Sequence, residues 1–339
     1  MEGDALSIRP KNGIEVTNGQ FTCRFDPSKL MSEGHNCISH AHSDHLPRSL
    51  EGDRAIASRI TLRCASERLH RSLKEDHCSH ITMLDSGHVR GSMMFLVENG
   101  TRVLYTGDMC PEDRFGMKGA RPLKTDVLII ESTYGSKGWD FPPRERIGEV
   151  IKDWAEDSLA QGYSVAMLTY PLGKSQLLLD FLGDLEPYLV ENVLCSTQWV
   201  EEEGGERFRY RSLTGEGPDI PSLYICSSGA MKGAFMQKLR KGKLRTAYIS
   251  GWALRRGFFN HMRVDEGFPL SDHAGHRELL DFVKGCDPKV VYTNHGYDED
   301  LASDIRRELG IDARPLKELK EGGRAKAPQR KLAEFQGQA

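Results

Sequence analysis

The chain has no Cys-x-x-Cys pair, although it carries eight cysteines in 339 residues. They are scattered singly at 23, 37, 64, 78, 110, 195, 226 and 286. That spacing supplies no disulfide framework and reads as buried or free thiols in a reducing compartment. No run of about eighteen apolar residues occurs, which excludes a membrane-spanning helix. The net charge is −3, so no global positive excess announces nucleic acid, and any surface for that polymer must be local. The first residues, Met1-Glu2-Gly3-Asp4, are acidic and lack the apolar core of a secretion signal. A cytoplasmic location is the expectation. With 28% charged residues, the chain has the composition of a globular protein and is long enough for two domains or one large one.

The densest chemistry lies in Ser39-His40-Ala41-His42-Ser43-Asp44-His45, where three imidazoles and a carboxylate fall within six positions. In an extended segment, side chains two apart share a face, so His40 and His42 can grip one ion. A turn beyond Ser43 aims Asp44 and His45 elsewhere, toward a second ion. The pattern His-x-His-x-Asp-His resembles the signature of the metallo-β-lactamase superfamily, which implies a fold and a metal site but hosts many hydrolases.

Short alternating pieces at 14–17 and 21–25 read as edge strands, and Ala55 to Leu73 has helical character. His77-Cys78-Ser79-His80 reads as a surface turn lacking a fourth ligand. Arg102 to Tyr105 is a short apolar strand with Asp108 just beyond it. Asp126 to Ile130 is a continuous apolar run, expected of a strand covered on both faces and ending at Glu131. Pro142 to Gly162 reads as an amphipathic helix and Tyr163 to Leu168 as a strand. Gly173-Lys174-Ser175 invites a phosphate-loop reading, but the glycine required earlier in that motif is Leu168, so the reading fails. Strands recur at 222–226 and 245–250, with a charged, glycine-rich and mobile excursion expected at 201–217. Ser271-Asp272-His273-Ala274 precedes a helix expected from Gly275 to Lys284 and capped by Gly285. A strand at 289–293 ends in Asn294-His295-Gly296, and a last helix runs from Asp298 to Leu309.

Glu131-Ser132-Thr133-Tyr134, Ser271-Asp272-His273-Ala274 and Asn294-His295-Gly296, set around an inserted α/β unit, resemble the β-CASP branch of that superfamily over roughly residues 10–315. The resemblance implies an α/β fold: a metallo-β-lactamase αββα sandwich formed by residues 1–139 and 263–320, an inserted β-CASP domain over 140–262, and a flexible tail over 321–339. It further implies two zinc ions, with manganese as the alternative. The first is held by His40, His42 and His88, the second by Asp44, His45 and His295, and Asp108 bridges them. Asp44 or Asp108 would orient the attacking water, His273 would protonate the leaving oxygen or bind the scissile phosphate, and Glu131 would hold His273.

The activity implied is hydrolysis of phosphodiester bonds in single-stranded nucleic acid, with RNA processing favoured slightly because His295 occupies the third β-CASP motif. The alternatives are a DNA exonuclease in repair and a small-molecule hydrolase of the thioesterase or lactamase kind. Relatives often dimerise. Lys232, Lys238, Arg240, Lys241, Lys243 and Arg245 fall in one fifteen-residue stretch without an acid, a candidate phosphate-binding patch or a plain solvated face. Trp252, Phe258 and Phe259 are candidates for base stacking or for packing between domains.

Overall fold

The computed structural model describes residues 6–319 apart from 115, 205, 214–216, 219, 241, 256, 258–259 and 261–262. Lys241, Phe258, Phe259 and the expected tail therefore lie outside the described residues, as does the side chain of Lys232. Three sheets carry the architecture. A six-stranded mixed sheet runs in the order Asp312–Pro315, Val290–Asn294, Val127–Glu131, Arg102–Tyr105, Met93–Glu98 and Ile81–Asp85. Its first four strands are parallel and the last two antiparallel.

Side-chain alternation along these strands builds two apolar layers. Val103, Tyr105, Val127, Ile129, Val290 and Tyr292 face a four-stranded sheet made by Ser7–Arg9, Ile14–Asn18, Phe21–Phe25 and His35–Cys37, and the two sheets share one core. Leu104, Leu128, Ile130 and Val291 point the other way, onto the helices His276–Cys286 and Asp298–Asp304. Strands buried on both faces must be apolar throughout, which is why Val127–Ile130 shows no polar alternation.

A second six-stranded sheet, all parallel, has the order Arg211–Ser212, Tyr188–Leu189, Leu223–Ser227, Ser164–Thr169, Leu244–Ile249 and Glu266–Phe268. Helices Arg144–Ala160 and Lys174–Leu182 pack over it around Ile151, Val165, Met167, Leu178 and Ile249. The strand Glu266–Phe268 belongs to this second sheet, whereas the sequence reading placed it with the first unit.

Some boundaries differ from expectation for identifiable reasons. The first helix is shorter than Ala55–Leu73. It covers Arg59–Leu69, starting where the Ser58 hydroxyl accepts the Thr61 N–H and ending at His70 in the left-handed region. Residues 201–204, expected in a mobile excursion, form the end of helix Asn192–Gly204. Helix His276–Cys286 runs through Gly285, which lies against Pro122 where a Cβ would stand 2.6 Å from the ring. That glycine marks a close approach, and Asp287 at φ +49° ends the helix instead. The last helix holds its regular form over Asp298–Asp304, continues as a π-turn over Ile305–Leu309 and stops at Gly310. Among the described residues no helix is long and apolar enough to cross a membrane.

Candidate metal centre

The carboxyl ends of the parallel strands of both sheets converge on one cleft, as expected of layered α/β folds. From the first unit come Asp108, Thr133, His273 and His295, and from the second Tyr170, Lys174, Ser250 and Trp252. The His cluster enters from the loop after strand His35–Cys37. Gly107, at φ +52°, sits where a Cβ would stand 2.6 Å from that of Ser39, so the Asp108 turn approaches the cluster as only glycine permits.

His40, His42, His88 and Asp108 each offer one ligand atom within a sphere of mutual distances below 4.8 Å. Their hydrogen bonds decide which nitrogens carry protons. The His42 Nε2–H donates to the Leu172 carbonyl at 3.1 Å, and the His88 Nδ1–H donates to the Asp272 carbonyl at 2.9 Å. Ser39 donates its hydroxyl proton to Asp26 at 2.7 Å and so accepts from His40 Nδ1 at 3.0 Å. Three lone-pair nitrogens, His42 Nδ1, His88 Nε2 and His40 Nε2, are thereby turned inward. The first two face each other at 3.1 Å, and His40 Nε2 is buried with no hydrogen-bond partner.

Inward lone pairs beside a carboxylate repel one another unless a cation lies among them. A tetrahedral zinc shell with ordinary Zn–N lengths has ligand–ligand edges of about 3.3–3.4 Å. The observed separations match: 3.1 Å between His42 and His88, 3.5 Å from His40 Nε2 to Asp108 Oδ2, and 3.7 Å from His88 Nε2 to the same oxygen. The donor set fits zinc.

Burial, reinforced by the neighbouring imidazoles, pushes the pKa of His40 well below its usual value, and burial likewise lowers those of His88 and His42. Neutral imidazoles are the ligand form. His45 behaves differently: burial opposes its charge, but Asp108 and Asp26 outweigh it and raise the pKa to about 10. The negative charge that holds a proton there also favours a cation in its place.

His45 Nε2 lies 3.6 Å from Asp108 Oδ2, the oxygen that His40 and His88 also approach, and the His45 ring centre is 4.1 Å from that of His40. The other ring nitrogen of His45, Nδ1, donates to Asp26 Oδ2 at 2.7 Å. Asp44 and His295 are looser. The Asp44 side chain is 70% exposed and 3.7 Å from His45. His295, exposed at the end of strand Val290–Asn294 and at φ +65°, has its ring centre 5.3 Å from that of His45.

His273 adjoins the ligand set, its ring centre 4.3 Å from that of His88. Its Nδ1–H is held by both oxygens of Glu131, at 3.0 and 3.1 Å. Glu131 is itself fixed by the Met109 N–H at 2.6 Å and is 2% exposed. Burial opposes charge on His273, but Glu131 and then Asp108 raise its pKa to about 9. Trp252 packs against Tyr134 and Trp139 at ring distances of 4.8 and 5.2 Å and also lines the cleft.

Of the basic stretch, Lys238, Arg240, Lys243 and Arg245 have described side chains. Lys243 and Arg245 stand over the Tyr163 ring, and Arg245 also donates to Ser158 and Gln161. Arg245 is at the far end of its strand from Ser250, about 16 Å away along the chain direction. Lys238 and Arg240 are exposed at the end of helix Ala234–Leu239.

Sequence reasoning missed Asp26, Asp272, Lys174 and Arg114. Asp26 binds Ser39, His45 and Tyr105, and Arg114, 4% exposed, binds the carbonyls of His88 and Asp272. Lys174 carried a sequence signal through its Gly-Lys-Ser setting and Asp272 through Ser271-Asp272-His273-Ala274, while Asp26 and Arg114 carried none.

Comparison with known proteins adds three findings. Residues 262–315 match the family model described as "Zn-dependent metallo-hydrolase RNA specificity domain". The chain is 31% identical to a "Probable DNA ligase" of Opitutus terrae over 86% of its own length and 30% of that protein's. It is 25% identical to "5' exonuclease Apollo" of Danio rerio over 61% of the chain and 35% of the relative, and 24% identical to "RNase aCSPSF2" of Saccharolobus solfataricus over 68% and 56%. The chain thus spans about a third of the length of the first two relatives.

Proposed function

Given that this chain belongs to the β-CASP branch of the metallo-β-lactamase superfamily, we propose that it is a zinc-dependent nuclease acting on single-stranded nucleic acid. The observation that carries the reading is the pairing of an inward-facing His40–His42–His88–Asp108 set with a Glu131–His273 couple directly beside it. A metal shell alone would serve any hydrolase. The couple supplies a proton donor that phosphodiester cleavage needs at the leaving oxygen.

In this reading His40, His42, His88 and Asp108 would hold a first ion, and Asp44, His45 and His295, together with Asp108, would hold a second. When bound, the metal supplies Lewis-acid neutralisation of phosphate oxygens and acidification of water. Glu131 fixes the His273 ring so that its Nε2–H points into the cleft, where it donates to the phosphate or the departing oxygen. Asp44 or Asp108 orients the incoming water. The first and four-stranded sheets form the metal-binding domain, and the second six-stranded sheet is the inserted one.

A cavity of about 860 Å³ adjoins the metal cleft and shares His42, Asp44 and Tyr170 with it. Arg68 is the basic residue on its wall, beside Trp199, Tyr170 and Tyr248. Such a lining suits stacked bases more than a phosphate track, which favours an unpaired strand. For the polymer, the match covering 86% of the chain is to a protein named as a DNA ligase and favours DNA. The RNA reading keeps the support of the archaeal RNase and the RNA specificity model.

The test is incubation of zinc- or manganese-loaded protein with matched RNA and DNA strands labelled at either end, beside Asp108→Ala and His273→Ala. Cleavage by the wild type alone supports the reading, and the preferred polymer and labelled end fix substrate and direction. Hydrolysis of a thioester or lactam with both polymers intact refutes it.

A further inference from the structure

The turn Pro171-Leu172-Gly173-Lys174-Ser175, rejected above as a phosphate loop, enters the metal centre from the second sheet unit. Its Leu172 carbonyl takes the outward N–H of His42 at 3.1 Å. Lys174, 3% exposed, donates from Nζ to Asp272 Oδ1 in a pair whose partner is 1% exposed. The carbonyl of that same Asp272 takes the outward N–H of His88 at 2.9 Å. Two of the inward-facing histidines are therefore aimed by backbone carbonyls whose positions depend on this one turn.

The turn's own residues are fitted to that place. Gly173 has φ +98°, and a Cβ there would stand 2.4 Å from Val89 Cγ1 and 2.8 Å from Asp272 Oδ2. Its N–H is held by Gln176 Oε1 at 2.7 Å, and Ser175 Oγ donates to the Tyr170 carbonyl at 2.7 Å. Glycine gives the close approach, lysine neutralises the buried carboxylate, and Ser175 and Gln176 fix the bend. The Gly-Lys-Ser run is thereby explained without a phosphate.

We propose that the Leu172–Lys174 turn is an outer shell of the metal centre, with Lys174 as a positioning residue, so that seating of the second sheet unit and metal affinity form one coupled equilibrium. The proposal rests on His40, His42, His88 and Asp108 as metal ligands and is independent of whether the protein cuts nucleic acid. Coupling of this kind is reciprocal: the ion steadies the turn by the same free energy with which the turn steadies the ion. Residues that orient ligating histidines typically change metal affinity roughly 10–100-fold when removed.

The test uses the full chain and no nucleic acid. Zinc affinity is measured by competition with a chromophoric chelator for wild type, Lys174→Met, Lys174→Arg and Gly173→Ala, and amide exchange over 170–176 is followed with and without zinc. Lys174→Met and Gly173→Ala are expected to bind zinc at least about 10-fold more weakly. Lys174→Arg, which keeps the charge, recovers most of the loss. Zinc slows exchange of the turn in the wild type and does so less in Lys174→Met. Should Lys174→Met fail to fold because Asp272 is left buried and unpaired, Lys174→Met/Asp272→Asn removes both charges and is read in the same assay. Zinc affinities equal to wild type in the folded variants, or an exchange pattern indifferent to zinc, overturn the proposal. So does a Lys174→Met variant with unchanged zinc affinity and a raised KM for nucleic acid, which would make Lys174 a substrate contact.

Discussion

Replacing Asp26 by asparagine tests whether the metal centre is held from behind by a carboxylate that no motif announced. Asp26 Oδ2 accepts from Ser39 Oγ at 2.7 Å, His45 Nδ1 at 2.7 Å and Tyr105 Oη at 2.6 Å, while Oδ1 accepts the Ser39 N–H at 2.6 Å. All four partners are donors, and a carboxylate is the side chain that only accepts. An amide of the same shape must turn its NH2 toward one side. The less costly orientation keeps the oxygen on the three-donor side and sets the NH2 against the Ser39 N–H. Three charge-assisted bonds then become neutral, at about 1 kcal/mol each, and one buried N–H is orphaned at about 1–3 kcal/mol. Rotation of the Ser39 and Tyr105 hydroxyls recovers part of this, leaving an expected loss of about 3–5 kcal/mol. Urea unfolding in excess chelator reads that loss without any contribution from zinc, provided the m value is unchanged. Zinc affinity, measured separately, falls roughly 10-fold as His45 loses its anchor. An Asp26→Asn protein within about 1 kcal/mol of wild type would refute the four-donor account, since that is the scale of one ordinary hydrogen bond.

Glu131→Gln is expected to lower turnover about 100-fold or more by freeing the His273 ring, while zinc affinity holds. Because Glu131 also groups with Asp108 and His273 closely enough to ligate, a large fall in zinc affinity would make it a ligand instead. Gly148→Ala places a methyl 2.4 Å from the Phe181 ring. Overpacking at about 1–3 kcal/mol exceeds the helix-propensity gain of about 1 kcal/mol, so thermal unfolding should show a net loss, and a gain would mean that the ring swings aside freely. Burial pushes the thiols of Cys64, Cys110 and Cys286 up to about 11 and that of Cys226 to about 12. Exposed Cys195 should therefore react first with a thiol reagent at pH 7.5, half-buried Cys78 more slowly, and the rest only on unfolding; rapid labelling of Cys64 would contradict the packing. Chelating the metal should lower Tm, and zinc at 100 times its Kd should restore about 2.7 kcal/mol. His40→Ala should lose most of that response, and an undiminished one would move the ion away from His40.

The residues brought together at the centre were legible where chemistry restricts residue type. Few side chains serve as zinc ligands, so His40, His42 and His45 stand out by kind and spacing, whereas His88 and Asp108, each a single residue in a glycine-bearing turn, are marked only by the resemblance to the family's motifs. Glu131 and His295 stand out by their place at the ends of apolar strands. The parallel sheet was legible for a similar reason, since Val127–Ile130 and Val290–Tyr292 are apolar on both faces. Chemistry that runs through the backbone leaves no such trace. The acceptors that aim His42 and His88 are the carbonyls of Leu172 and Asp272, which every residue type possesses. Asp26 is a lone acid after a strand, and only the fold brings it to His45. The basic stretch shows the converse: its composition suits phosphate, yet Arg245 and Lys243 are stacked on Tyr163.

That division explains why the second sheet unit is part of the site rather than a cover laid over it. The inward-facing ligands come from the first unit, so on sequence alone a metal could be held without the second. In the folded chain the outward nitrogen of His42 ends on Leu172, and Asp272, which takes that of His88, is neutralised by Lys174. Withdrawing the second unit would expose an imidazole N–H to water and leave a buried carboxylate without its cation, and both changes loosen the ligands they serve. The 860 Å³ cavity borders the first of these contacts, since His42 and Leu172 line it beside Tyr170 and Trp199.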